Sequence, residues 1–246
     1  MILNAKIFFS IVIAMTVQEI VGILDRSGSM RGKEADTIGG INAMLSEVKS
    51  KVTSDDIVRV SLKLFDHEEI IKWRRRPIEE VEEFPVAEFV PRGQTALLDA
   101  LGHTLTYFME MKLVNPNAYD TCLMYVATDG LENASKNYNR HRIKELIQSA
   151  ETTYGIKVIY LGANQDAILE AANIGIAQGH AINYTENGEA TQAVYRAVGR
   201  VASDNRAAPR AAVGFSMAER QASQPPAPPI VHRQSGIASQ QVASNP

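Results

Sequence analysis

Apolar residues in this chain follow two alternating patterns: short unbroken runs, and longer stretches with helical spacing. Ile20-Val21-Gly22-Ile23-Leu24 is a nearly continuous run that ends at Asp25. Leu123-Met124-Tyr125-Val126-Ala127 repeats the form and ends at Thr128-Asp129; Val158-Ile159-Tyr160-Leu161 is a third. Such runs are what a strand buried on both faces requires. Between them, Ile38, Ile41, Met44, Leu45 and Val48 predict a helix over 34–48. Leu97, Leu98, Leu101, Leu105 and Phe108 predict another over 95–111. Helical spacing recurs over 138–154, 166–172 and 189–203. Ile57 to Phe65 alternates instead, with Val58, Val60, Leu62 and Leu64 on one face. A turn at Asp66-His67-Glu68-Glu69 then leads into Ile70-Ile71-Lys72-Trp73, which predicts a hairpin. Arg74 to Arg92 reads as irregular, because Pro77, Pro85 and Pro91 oppose a long helix.

Strands alternating with helices predict an α/β fold: a doubly wound, mostly parallel sheet with one antiparallel edge strand and helices on both faces. Three regions follow: an N-terminal extension or signal-like segment (1–16), one α/β domain (17–206), and a flexible Pro/Ala/Ser/Gln-rich tail (207–246). The tail's Pro225-Pro226-Ala227-Pro228-Pro229 is either a solvated stretch or a ligand for a polyproline-reading module. The apolar run from Ile7 to Met15 is too short to span a bilayer, which takes roughly 20 residues. Three readings of it stay open: an extension ahead of a start at Met15, the apolar part of a signal peptide behind Lys6, or an extra edge strand.

Composition changes this picture little. With 45% apolar and 22% charged residues among 246, the chain is an ordinary globular protein. A net charge of −3 gives no general attraction for nucleic acid, so none is expected as a partner. Cys122 is the only cysteine, which rules out an intrachain disulfide and a cysteine metal site. A lone cysteine fits a reducing compartment, so the expected location is the cytoplasm, with secretion left open by residues 7–15.

The candidate chemistry lies at the ends of the apolar runs. Asp25, Ser27 and Ser29 stand in Asp25-Arg26-Ser27-Gly28-Ser29, Thr95 in Gly93-Gln94-Thr95, and Asp129 in Thr128-Asp129-Gly130. Parallel strands present their carboxyl ends on one rim, so Asp25 and Asp129 should meet there. Alternate positions of an extended loop point the same way, which brings Asp25, Ser27 and Ser29 together. Thr95 either caps the helix it opens or faces the rim. Two carboxylates and three hydroxyls are hard oxygen ligands, suited to Mg²⁺ or Mn²⁺ and poorly suited to Zn²⁺. So few charges leave a divalent ion under-neutralised, so an acidic group from a partner should complete its shell. Each residue alone has a plainer reading as turn chemistry; all of them together favour a metal site.

Other motifs are missing. The five histidines lack the His-Glu-x-x-His spacing, no Gly-x-Ser-x-Gly elbow surrounds Ser27 or Ser29, and no P-loop is present. Asp99 reads either as a support for the site loops or as a surface carboxylate. Arg26 either meets an acidic partner or braces Asp129. Arg74-Arg75-Arg76 reads as a solvated edge that blunts aggregation.

Asp25-x-Ser27-x-Ser29, Thr95 and Asp129 together resemble the metal-ion-dependent adhesion site of von Willebrand factor A-type (vWA) domains, over roughly residues 17–204. The stretches Leu24 to Met30, Gly93 to Ala100 and Thr128 to Asn133 look like an intracellular bacterial or phage branch. The resemblance implies a Rossmann-like vWA fold in which the serines contact the ion directly. The threonine does so in one binding state, and the aspartates often act through water. The function expected is a non-enzymatic, divalent-metal-dependent protein–protein interaction module whose partner presents Asp or Glu. The alternatives are a structural or assembly subunit of a phage particle or ATPase-linked complex, and a Mg²⁺-dependent phosphoryl-transfer enzyme. The last is weakened because Ser27 stands where such enzymes carry a second carboxylate.

Overall fold

The computed structural model describes residues 15–163 and 166–224. Its six strands are β1 (Thr16–Asp25), β2 (Asp56–Phe65), β3 (Glu69–Pro77), β4 (Thr121–Thr128), β5 (Ile156–Ala163) and β6 (Ala181–Tyr184). They form one sheet in the order β3-β2-β1-β4-β5-β6. Every pairing is parallel except β2 with β3, the expected hairpin. The sheet is therefore mostly parallel with one antiparallel edge strand, as the alternation of patterns predicts.

The helices are α1 (Glu34–Lys49), α2 (Leu97–Val114), α3 (Arg140–Thr153), α4 (Ala167–Asn173), α5 (Gly188–Ala207) and α6 (Met217–Ala222). The sheet buries apolar side chains on both faces. One face packs Leu24, Leu62 and Tyr125 against Ile41, Met44, Val194 and Val198 of α1 and α5. The other packs Ile23, Met124 and Val158 against Leu101, Leu105 and Ile147 of α2 and α3. Alternate residues of β1 and β4 serve opposite faces, which is why these strands read as unbroken apolar runs. The close approach of α1 to α5 depends on Gly40, where an added Cβ would lie 2.5 Å from the Tyr195 ring.

Several expectations need adjustment. The edge strand continues to Pro77, taking in Arg74 to Arg76; only then do two short 3-10 turns, Ile78–Glu80 and Val86–Glu88, fill the region read as irregular. Proline is tolerated there because it ends an edge strand. β6 was not foreseen, since four residues carry too little pattern. The segment 208–224, expected to belong to the tail, packs onto the domain. Phe215 is buried there, and Arg200 holds Glu219 through two bonds of 2.6 and 2.9 Å. Ser216 and Glu219 close a capping box on α6. The readings of residues 1–14 and of Pro225 to Pro229 lie outside the described residues. Among the described residues no helix is long and apolar enough to cross a membrane.

Candidate metal centre

The strand order reverses between β1 and β4, the switch point at which open α/β sheets bind ligands. Leu24 pairs with Ala127, so Asp25 at the end of β1 and Thr128 at the end of β4 face one another. The Thr128 hydroxyl donates to Asp25 Oδ2 at 2.6 Å, and the Ser27 amide donates to Asp25 Oδ1 at 2.6 Å. Ser27 Oγ lies 3.0 Å from Ser29 Oγ, and Ser29 Oγ donates to Asp129 Oδ1 at 2.6 Å. Thr95 arrives from the third loop. A Cβ placed on Gly130 would lie 3.2 Å from Thr95 Oγ1, 3.4 Å from Ser29 Oγ and 3.8 Å from Asp25 Oδ2. One small volume beside Gly130 thus gathers oxygens from all three segments, and a glycine keeps it clear.

Backbone bonds lock the loops together. Arg92 N donates to Arg26 O at 2.8 Å, and Gly28 N to Gly93 O at 3.2 Å. Thr95 O accepts from Asn133 N at 3.0 Å, while Thr95 N donates to Asn133 Oδ1 at 2.9 Å. Thr95 does not cap α2, which starts two residues later. That helix is capped from the neighbouring loop, where Glu132 accepts from Leu98 N at 2.9 Å and Ser135 Oγ from Asp99 N at 3.0 Å. Asp99 in turn accepts from the amides of Lys136, Asn137 and Tyr138 at 2.8–2.9 Å, so it supports the loop that follows Asp129.

The site is a cup with a buried floor. Asp25, Ser27 and Thr95 are buried, whereas Ser29 is exposed at the lip. Burial pushes the Asp25 carboxyl up to about 6; the bonds from Thr128 and Ser27 oppose this, and the nearby Asp129 charge adds to it. A cation is therefore electrostatically favoured at the floor. The donor set fits a hard divalent ion: two carboxylates and three hydroxyls, with an open side at Ser29. Among the described residues no cluster of three or more His, Cys, Asp or Glu side chains is placed to hold a metal.

One cation of the chain itself is at hand. Lys33 Nζ donates to Asp129 Oδ2 and to Glu186 Oε1, bridging the site to the loop after β6. Burial works against this ammonium, but its bonds to Asp129 and Glu186 outweigh that and raise its pKa.

No family model matches the chain, and no curated protein matches it in sequence. Solved structures do match in shape. The proximal thread matrix protein 1 of the mussel byssus superposes with a TM-score of 0.56 at 16% identity, covering 77% of this chain and 47% of that one. A von Willebrand factor type A protein from Catenulispora acidiphila gives 0.54 at 16% identity, covering 76% and 43%. The vWF domain of the type V pili tip protein Mfa5 from Porphyromonas gingivalis gives 0.55 at 11% identity, covering 78% and 97%. This is a von Willebrand factor A-type fold. The chain spans under half the length of the first two neighbours. The byssus protein has also been solved with a zinc-occupied MIDAS motif, at a TM-score of 0.51.

Within the vWA fold, all five residues expected at the metal site come together on the predicted rim. The surrounding assignments are less uniform. Arg26 does not brace Asp129; it turns inward to the buried Asp66, with the two groups 3.1 Å apart. Arg75 is not a solvated edge residue. Its guanidinium bonds the buried Glu19 at 2.7 and 3.0 Å, and its backbone sits at φ 48°. Thr128, Lys33 and Glu186 were not foreseen as site residues. Thr128 carried a usable signal, a hydroxyl at the end of a buried strand beside Asp129. Lys33 and Glu186 carried none, because their meeting depends on the overlooked β6.

Proposed function

We propose that this vWA domain is a non-enzymatic, divalent-metal-dependent protein-binding module. Mg²⁺ or Mn²⁺ would be held by Asp25, Ser27, Ser29, Thr95 and Asp129, and an Asp or Glu of a partner protein would complete the shell. The observation that carries this reading is the meeting of two carboxylates and three hydroxyls from three loops around Gly130, open to solvent at Ser29. The ion supplies a positive charge that a carboxylate can reach from outside. The chain's residues do the rest: Thr128 and the Ser27 amide orient Asp25, and Asn133, Glu132 and Asp99 hold the loops that carry Thr95 and Asp129. The charge balance and lone buried Cys122 are compatible with work in the cytoplasm.

Calorimetry tests the reading. Mg²⁺ and Mn²⁺ should bind the full chain with one site, and Asp25→Ala and Asp129→Ala should each abolish the heat. A partner recovered only with metal present, and lost in Ser27→Ala with Ser29→Ala, would extend it to the interaction. Metal-dependent phosphatase turnover lost in Asp25→Asn would replace it with the enzymatic alternative.

A further inference from the structure

Lys33 is an unusual neighbour for a metal site. It is the N-cap residue of α1, where the helix dipole disfavours a cation. Its ammonium nevertheless lies between Asp129 and Glu186, with the side chain only a quarter exposed. Asp129, whose side chain is buried, is already bonded to Ser29. On its other side Lys33 borders a hollow of about 250 Å³, lined also by Arg31, Asp36, Tyr184 and Glu186. The ammonium therefore has one acceptor inside the metal site, one outside it, and open space beside the second.

We propose that Lys33 is an internal cation that competes with the metal for Asp129, and that Glu186 is its alternative seat. This rests on the metal-site reading above. In the metal-free protein Lys33 pairs with Asp129 and offsets part of the repulsion that Asp129 exerts on Asp25. When a divalent ion enters, two cations face one carboxylate, and Lys33 withdraws into the hollow while keeping its bond to Glu186. Metal affinity is then set by an exchange between Asp129 and Glu186, not by the five ligands alone. An acidic partner that docked near Glu186 would be able to draw Lys33 away and tighten the metal at the same time, which couples the two binding events.

The test uses the full chain, with Mg²⁺ and Mn²⁺ as the probes in calorimetry and thermal melts as the check on folding. Partly exposed ion pairs and nearby like charges are modest in effect, so Lys33→Met should bind Mg²⁺ about three- to tenfold more tightly than the parent. Glu186→Gln removes the alternative seat and should bind about threefold or more weakly. In the Lys33→Met background the Glu186→Gln penalty should shrink, because the two residues act through one exchange. Lys33→Gln guards against an effect peculiar to methionine. Equal or weaker binding in both Lys33 variants overturns the exchange while leaving the metal site standing. Absence of metal heat from the parent and from every Lys33 variant removes the metal site itself, and the exchange with it.

Discussion

Asp25→Asn isolates the electrostatic cost of the metal-free cup. The substitution keeps the shape of the side chain and leaves an oxygen for the Ser27 amide, while removing the buried charge. At about 1.4 kcal/mol per pH unit, the gap between 3.8 and about 6 amounts to about 3 kcal/mol of strain carried by ionised Asp25. A carboxyl whose folded pKa is raised stabilises the fold when protonated and loses that contribution as pH rises. The parent without metal should therefore be most favoured by this group below about pH 4, and should lose up to about 3 kcal/mol between about pH 4 and pH 6. Urea denaturation in chelator should find Asp25→Asn more stable than the parent at pH 7.5, by at most that amount, since Thr128 must turn its hydroxyl. The difference should close below pH 4. In thermal melts the same effect is worth roughly 2–4 °C per kcal/mol for a domain of this size. Mg²⁺ at one hundred times the dissociation constant should stabilise the parent by about 2.7 kcal/mol and leave the variant unmoved, closing most or all of the gap between them. A variant that is less stable than the parent in chelator at pH 7.5 would refute the argument, because Asp25 would then be contributing more through its hydrogen bonds than its burial costs.

Asp99→Ala should cost roughly 1–3 kcal/mol in urea unfolding, since it orphans the amides of Lys136, Asn137 and Tyr138, and it should weaken Mg²⁺ binding by loosening the loop after Asp129. Burial raises the Asp99 carboxyl, but those three amides outweigh it and hold its pKa below the usual 3.8, so its stabilisation is present above pH 4 and fades as pH falls further. Unchanged loop protection in hydrogen exchange would contradict this. Gly22→Ala should cost roughly 1–3 kcal/mol, because its Cβ would meet Tyr125 Oη at 2.4 Å and Leu62 Cδ1 at 2.9 Å; a denaturation midpoint equal to the parent's would show that the sheet yields there without strain. Arg200→Ala should release the segment before α6 and speed tryptic cleavage after Arg210, with the melting of the rest of the domain little changed.

The central strands were legible because each is buried on both faces and must be apolar throughout. β1, β4 and β5 came through with only their ends extended. The helices were legible for the complementary reason: each buries one stripe and leaves its spacing in the chain. What failed was short, or held from a distance. β6 has four residues, too few for a pattern to rise above chance. α6 is polar in sequence and is fixed instead by Arg200, which grips Glu219 and accepts no help from hydrophobic periodicity. Arg75 reads as a solvated charge, and Arg26 as a contact to a partner or to Asp129, because Glu19 and Asp66, the carboxylates they pair with, lie on other strands and loops.

The candidate site divides along the same line. The meeting of its five candidate residues was readable because they stand at the ends of strands and loops that share one rim. Their electrostatics were not, since the charge at Asp129 depends on Lys33 from the start of α1 and on Glu186 from a loop 153 residues further on. A reading that stops at the five ligands gives a cup with two bare carboxylates, which should draw in any divalent ion at hand. With Lys33 in place, one of those carboxylates is already paired, and in the proposed exchange an ion would have to displace an ammonium to use it. On that proposal the same five residues would bind metal with different strengths in two chains that differ at position 33 alone: the motif would set where an ion goes, and its neighbours how readily it stays.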